Sequence, residues 1–164
     1  AENIHPSDIP RFAQLGVIAS MQIVHLPLDN NEKTERIGKE RARYEWPLRS
    51  LLDANAVFAS GTDYPVFEVN PMIGIYSAIT RCLTDGTPVG SSPEEKITLP
   101  EILWAYTRDA AYSIGREKDL GTLEKGKLAD IVVLDQNLFQ LEPSEMLKVK
   151  PVMTMMDGNI IFEA

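Results

Sequence analysis

Residues 57–66, Val57-Phe58-Ala59-Ser60-Gly61-Thr62-Asp63-Tyr64-Pro65-Val66, limit the architecture more than any other stretch of the chain. Val57, Phe58 and Ala59 form a short apolar run that reads as a buried strand, and Gly61 relieves the backbone where the strand gives way to a loop. Asp63 falls just past the strand's C-terminal end, the edge at which parallel α/β folds place their chemistry. By local pattern alone, an Asp that merely caps the next turn is the alternative.

What precedes this stretch repeats its logic. Pro6-Ser7-Asp8-Ile9-Pro10 opens a short helix that Gly16 ends, and Val17–Gln22 reads as a buried strand. Residues 29–43, crowded with Glu, Lys and Arg, read as a solvated loop and helix face. Pro47–Ala54 is a second helix, with Leu48, Leu51 and Leu52 on its apolar side, leading into the Val57 strand. Helix, strand, helix, strand is βα alternation and implies parallel strands. Beyond Asp63, Met72, Ile75, Ile79 and Leu83 have helical spacing over 71–83, placing Cys82 in a helix as inert core. Residues 84–97 read as a loop, and Thr98 with Glu101 forms a capping box for the helix that follows. A further helix runs from Arg108 to about Gly115. From Leu120 the character changes: Ala129–Leu134 is a valine-rich strand, 135–150 is mostly irregular, and Asp157-Gly158 is set between 152–156 and 159–162 as a hairpin turn.

Composition narrows the functional classes. With 16 basic and 24 acidic residues the net charge is −8, which argues against a nucleic-acid footprint and against an anionic membrane surface. Cys82 is the single cysteine, so an intrachain disulfide and a cysteine-based zinc site are both excluded. No apolar run approaches the roughly 18 residues of a membrane span. The first ten residues carry no signal-peptide pattern, so a cytoplasmic location is the expectation.

Ser60-Gly61-Thr62-Asp63-Tyr64-Pro65-Val66 resembles the strand-end motif of metal-dependent amidohydrolases, in particular amidohydrolase family 3. The stretch Asp8–Gln22 is similar to that family's approach to its seventh barrel strand, and Ala78-Ile79-Thr80-Arg81 to its next helix. Gly126-Lys127-Leu128-Ala129-Asp130-Ile131-Val132-Val133-Leu134, with the residues from Leu120 before it, resembles a C-terminal signature widespread among amidohydrolases. The likeness covers nearly the whole chain.

This resemblance implies an α/β fold: the C-terminal part of a metal-dependent (β/α)8 barrel over residues 1–119, followed by a β-sandwich segment over 120–164. It also implies an active site built from a His-x-His pair, a bridging carboxylated lysine or other acid, two further histidines and an aspartate ending the eighth strand. Only the aspartate maps here, as Asp63, in the role of metal ligand, proton acceptor, or both; with the resemblance in view this outweighs the capping role. His5 and His25 are the only histidines, so no His-x-His is present. His25 resembles a family position near the substrate, with a rim-packing histidine as the even alternative. Gln22 is a second substrate-binding candidate, although a buried strand glutamine serving loop backbone is the stronger assignment, and the proline that often follows it in the family is here Ile23. Arg81 is read either as orienting an acidic loop or a substrate carboxylate, or as pairing with Asp85 at a helix end. His5 reads as a surface residue, Trp46, Trp104 and Tyr106 as buried, and Asp130 as serving a turn.

A complete barrel takes about 250 residues, against roughly 120 before the β tail. The chain therefore reads as a C-terminal fragment of a longer hydrolase that cleaves amide or cyclic-amide C–N bonds of small molecules. A divalent metal, zinc first among the candidates, belongs to that parent, and none is expected on the fragment, which should itself be inactive. Homo-oligomerisation is expected because strand edges are left open. The rival reading is a non-catalytic relic or partner-binding module of the same fold.

Overall fold

A computed structural model describes residues 1–29 and 32–164. Asn30 and Asn31, inside the charged stretch, lie outside the described residues. The chain opens with helix α1 (Ile9–Leu15), closed by Gly16 in the left-handed region at φ 65°. Closure is made by Gly16 N donating to Ala13 O and Val17 N to Phe12 O. That turn uses up Val17 and Ile18, so strand β1 is Ala19–Met21 and shorter than the apolar pattern suggests. A 3-10 turn (Ile23–His25) leads into α2 (Leu26–Asp29), followed by α3 (Glu32–Ile37), α4 (Lys39–Ala42) and α5 (Leu48–Asp53).

The charged stretch is not uniformly solvated, contrary to expectation. Lys33 Nζ sits 3.9 Å from the centroid of the Trp46 ring, and Ala42 is buried. Strand β2 (Phe58–Ser60) pairs with β1 in parallel, Ala19 opposite Phe58 and Met21 opposite Ser60. Among the described residues these two strands form one sheet and the tail forms another.

Helix α6 (Met72–Thr80) buries Met72, Ile75, Tyr76 and Ala78. It stops short of the expected Leu83 because Arg81 turns left-handed, at φ 55°, and its side chain is drawn inward. Cys82 therefore lies outside the helix, half-buried, bridged to Pro88. The loop after it contributes Val89 and Ile97 to the core. Helix α7 (Leu99–Tyr106) begins as its sequence suggests, with Glu101 Oε2 accepting from Thr98 N at 2.7 Å. Helix α8 is Arg108–Ser113. Trp46 is buried, but Trp104 is 49% exposed: Ile102 and Ala105 take the core face of α7, leaving Trp104 outside beneath Arg108.

In the tail, β3 (Ile131–Leu134), β4 (Pro151–Met156) and β5 (Asn159–Glu163) form an antiparallel sheet in chain order. Asp157 and Gly158 have φ 48° and 77°, the two positive values that a type I′ turn requires. Asp130 serves that turn, its Oδ1 accepting from Asp157 N at 2.8 Å. The segment expected to be irregular contains a short helix, α9 (Pro143–Met146), and Leu138, Met146 and Val149 join the same core as α6. Among the described residues no helix is long and apolar enough to cross a membrane.

Candidate active site

Because β1 and β2 are parallel and in register, the segments that follow them leave from the same edge of the sheet. Ser60 Oγ and Gly61 N both donate to Met21 O, each at 3.2 Å, which locks the two strand ends together. From β1 the chain passes through Gln22 into the 3-10 turn, with His25 N donating to Gln22 O at 3.0 Å. From β2 it passes through Gly61 and Thr62 to Asp63, which adopts φ 59°. Asp63 O accepts from Val66 N at 2.7 Å and closes a tight turn.

This geometry brings two of the three candidate residues together. His25 Nε2 lies 3.9 Å from Asp63 Oδ2, beyond a hydrogen bond but within electrostatic reach. His25 Nε2 is buried and, among the described residues, makes no hydrogen bond. The His25 ring is tilted 59° against Phe67, with centroids 6.5 Å apart. The Asp63 side chain is 52% exposed. Its own carbonyl, not its carboxylate, closes the turn, so the carboxylate is left facing outward. Gln22 does not sit in the strand; it follows β1, and its Nε2 donates to Ser20 Oγ at 3.1 Å. His5 is on the surface with Nδ1 2.7 Å from Ser7 Oγ.

Behind this edge lies a group of charges that sequence reasoning treated only in part. Arg81, Glu45 and Glu95 are all buried. Arg81 Nη1 donates to Trp46 O at 3.0 Å and Nη2 to Glu45 O at 3.2 Å. It is not the partner of Asp85, whose Oδ1 accepts from Thr87 N instead. Glu95 accepts from both the amide and the hydroxyl of Ser50. Burial lowers the Arg81 pKa, and the carboxylates of Glu45, Glu95 and Glu94 work against that. Burial likewise raises the phenol of Tyr106, at the end of α7, above 10.0.

A zinc ion takes three or more protein donors. Among the described residues no group of three His, Cys, Asp or Glu side chains could hold one. The Asp63 carboxylate suits a divalent cation as one member of a larger set.

A family model described as "Amidohydrolase family" matches residues 1–162. The chain belongs to the amidohydrolase family. This amidohydrolase chain is 37% identical over 138 residues to Protein LONG AFTER FAR-RED 3 of Arabidopsis thaliana, a match covering 84% of this chain and 24% of that protein. It is 30% identical over 118 residues to the N-substituted formamide deformylase of Arthrobacter pascens, covering 72% of this chain and 21% of that one. Among solved structures it resembles an uncharacterized metal-dependent hydrolase from Pyrococcus furiosus, with TM-score 0.66 and 28% identity, over 77% of this chain and 25% of the other. The amidohydrolase chain thus spans about a quarter of the length of these relatives.

Proposed function

We propose that this chain is the C-terminal part of a metal-dependent (β/α)8 barrel hydrolase, and that Asp63 carries its proton transfer. In this reading β1 and β2 are the last two barrel strands, residues 1–119 the barrel portion, and 120–164 a β-sandwich segment. The observation that carries it is the convergence of Asp63 and His25, 3.9 Å apart, beyond the C-terminal ends of two parallel strands. The likeness to a formamide deformylase and to a metal-dependent hydrolase supports the same reading.

Asp63 would be one ligand of a divalent cation, zinc foremost. Such a cation, when bound, polarises the substrate carbonyl and acidifies the attacking water. The Asp63 carboxylate takes the proton released as water oxygen bonds to the amide carbon. It returns that proton to nitrogen as the C–N bond breaks, giving a carboxylic acid and an amine. His25, with Nε2 buried toward Asp63, orients the substrate beside that carboxylate, and Gln22 holds the neighbouring loop or a substrate amide. The substrate is a small amide or cyclic amide.

The test is amine release by the full-length protein from a panel of acyclic and cyclic amides, after chelation and after zinc is restored. Hydrolysis that disappears with the metal and returns with it is the expected result. A zinc-loaded, folded, full-length protein that releases no amine from any member would overturn the reading.

A further inference from the structure

Arg81 does not pair with Asp85, one of the two roles its sequence position suggests. Its side chain is 2% exposed and caps α6 in the left-handed region, so neither solvent nor Asp85 satisfies it. Its guanidinium fork spans two successive carbonyls, Glu45 O and Trp46 O, while its own carbonyl accepts from Val89 N at 2.9 Å. The Glu45 carboxylate, also 2% exposed, accepts from Ser91 N at 3.0 Å.

Gly90 is held between these groups and Leu26. At φ +79°, a Cβ there would stand 2.7 Å from Glu45 Oε1, 3.2 Å from Arg81 Nη2 and 3.2 Å from Leu26 Cδ1. Leu26 is fully buried and follows His25 directly. On the other side of His25, Ile23 lies against α6, its Cγ2 3.6 Å from where a Gly74 Cβ would stand. The helix that ends in Arg81 and the loop that Arg81 fastens therefore brace Ile23, two residues before His25, and Leu26, directly after it.

We propose that Arg81 is a positioning residue: through Glu45 and Gly90 it fixes Leu26, and so sets where the His25 imidazole stands relative to Asp63. The functional consequence rests on the reading of His25 as a substrate-facing group, whereas the positioning itself does not. A planar fork on two carbonyls of consecutive residues sets an orientation that an ammonium cannot reproduce. A buried charge so placed is costly to strip of its partners.

The experiment follows the His25 ring resonances by NMR in the full-length protein, assigned by their loss in His25→Asn. Arg81→Ala should shift or broaden them, and millimolar guanidinium, but not sodium, should bring them back. Gly90→Ala, which keeps the Arg81 side chain but crowds Glu45 Oε1, Arg81 Nη2 and Leu26 together, should shift the same resonances. Arg49→Met, which removes the ion pair of Arg49 Nη2 with Glu101 Oε1 at 2.9 Å, should not. Where turnover is measurable, kcat/KM should fall up to about 10²-fold in Arg81→Ala, the penalty of an ångström-scale misplacement. Unchanged His25 resonances in folded Arg81→Ala and Gly90→Ala would overturn the proposal, whatever the turnover shows. If Arg81→Ala does not fold, Gly90→Ala decides alone. Absence of hydrolysis in the wild type would remove the hydrolase reading and leave the ring signal as the arbiter of positioning.

Discussion

Asp63 at φ 59° occupies a region that most side chains avoid and that asparagine tolerates nearly as well as aspartate. Asp63→Asn is therefore the clean substitution: it removes the charge and the proton acceptor while leaving the turn intact. In the full-length enzyme it should lower kcat by about 10²–10⁴-fold, the usual worth of a positioned acid or base, with no loss of thermal stability. A protein that unfolds early instead would show that the carboxylate holds the turn. A second titratable pair lies at the start of α7, where Arg49 Nη2 is 2.9 Å from Glu101 Oε1. Burial works to raise the Glu101 pKa, but hydrogen bonds from Arg49 and Thr98 outweigh it and hold the carboxyl below 4.5. A depressed folded pKa contributes stability above the unfolded value, and that contribution vanishes as pH falls through the folded one. Denaturant titrations of wild type and Glu101→Gln should accordingly differ at neutral pH and begin to converge only as pH falls below about 4.3, the unfolded glutamate value. A constant gap down to strong acid would rule the ion pair out as the cause. The place of Asp63 just past the end of β2 was legible from sequence because the strand, the glycine and the acid follow one another closely. The buried charges were not, because Arg81 meets Trp46 and Glu45 across 35 and 36 residues, and no local pattern carries that separation.

Helix α6 approaches α7 closely at Gly74, where a Cβ would stand 2.3 Å from Tyr106 Oη but 3.4 Å from Cζ. Gly74→Ala should therefore destabilise the wild type. In a Tyr106→Phe background the clash is gone, and the same change should be neutral or stabilise by up to about 1 kcal/mol through helix propensity. A double-mutant cycle by urea denaturation reads this directly, and additive effects would refute the close approach. The hairpin makes a different demand. Gly158 has φ 77° and open space around its Cβ position, so Gly158→Val should cost about 1–2 kcal/mol from backbone strain alone. Turnover per folded molecule should be unaffected; a collapse of turnover at full stability would mean that the tail reaches the active site. The hairpin could be read from Asp157-Gly158 alone, and the α7 start from Thr98 and Glu101. The α9 turn was missed although Pro143 at its first position and Glu145, accepting from Glu142 N at 3.0 Å, were available as signals. The overlong reading of α6 has a tertiary cause, since its helical spacing continues to Leu83 while Arg81 turns the backbone away.

At the scale of the molecule, the described strands leave edges unpaired, and the tail sheet exposes Val132, Ile160, Ile161 and Phe162 at 57%, 53%, 62% and 45%. Surfaces of this kind seek partners. The 164-residue chain alone should self-associate, with a mass by light scattering above 18.3 kDa at micromolar concentration. A monodisperse monomer would show that these faces are tolerated in water. Parallel pairing of β1 and β2 was legible from the alternation of helices and strands; the depth to which the tail enters the core was not, because Leu138, Met146 and Val149 sit in a stretch without periodicity. Their burial against α6 has a consequence for biosynthesis. A ribosome adds about 5–20 residues each second, so α6 waits several seconds for the side chains that cover its flank. A nascent chain halted before Leu138 would carry β1, β2 and the Asp63 turn, yet present α6 on an unfinished wall. Such an intermediate is a natural client for a chaperone near the exit tunnel.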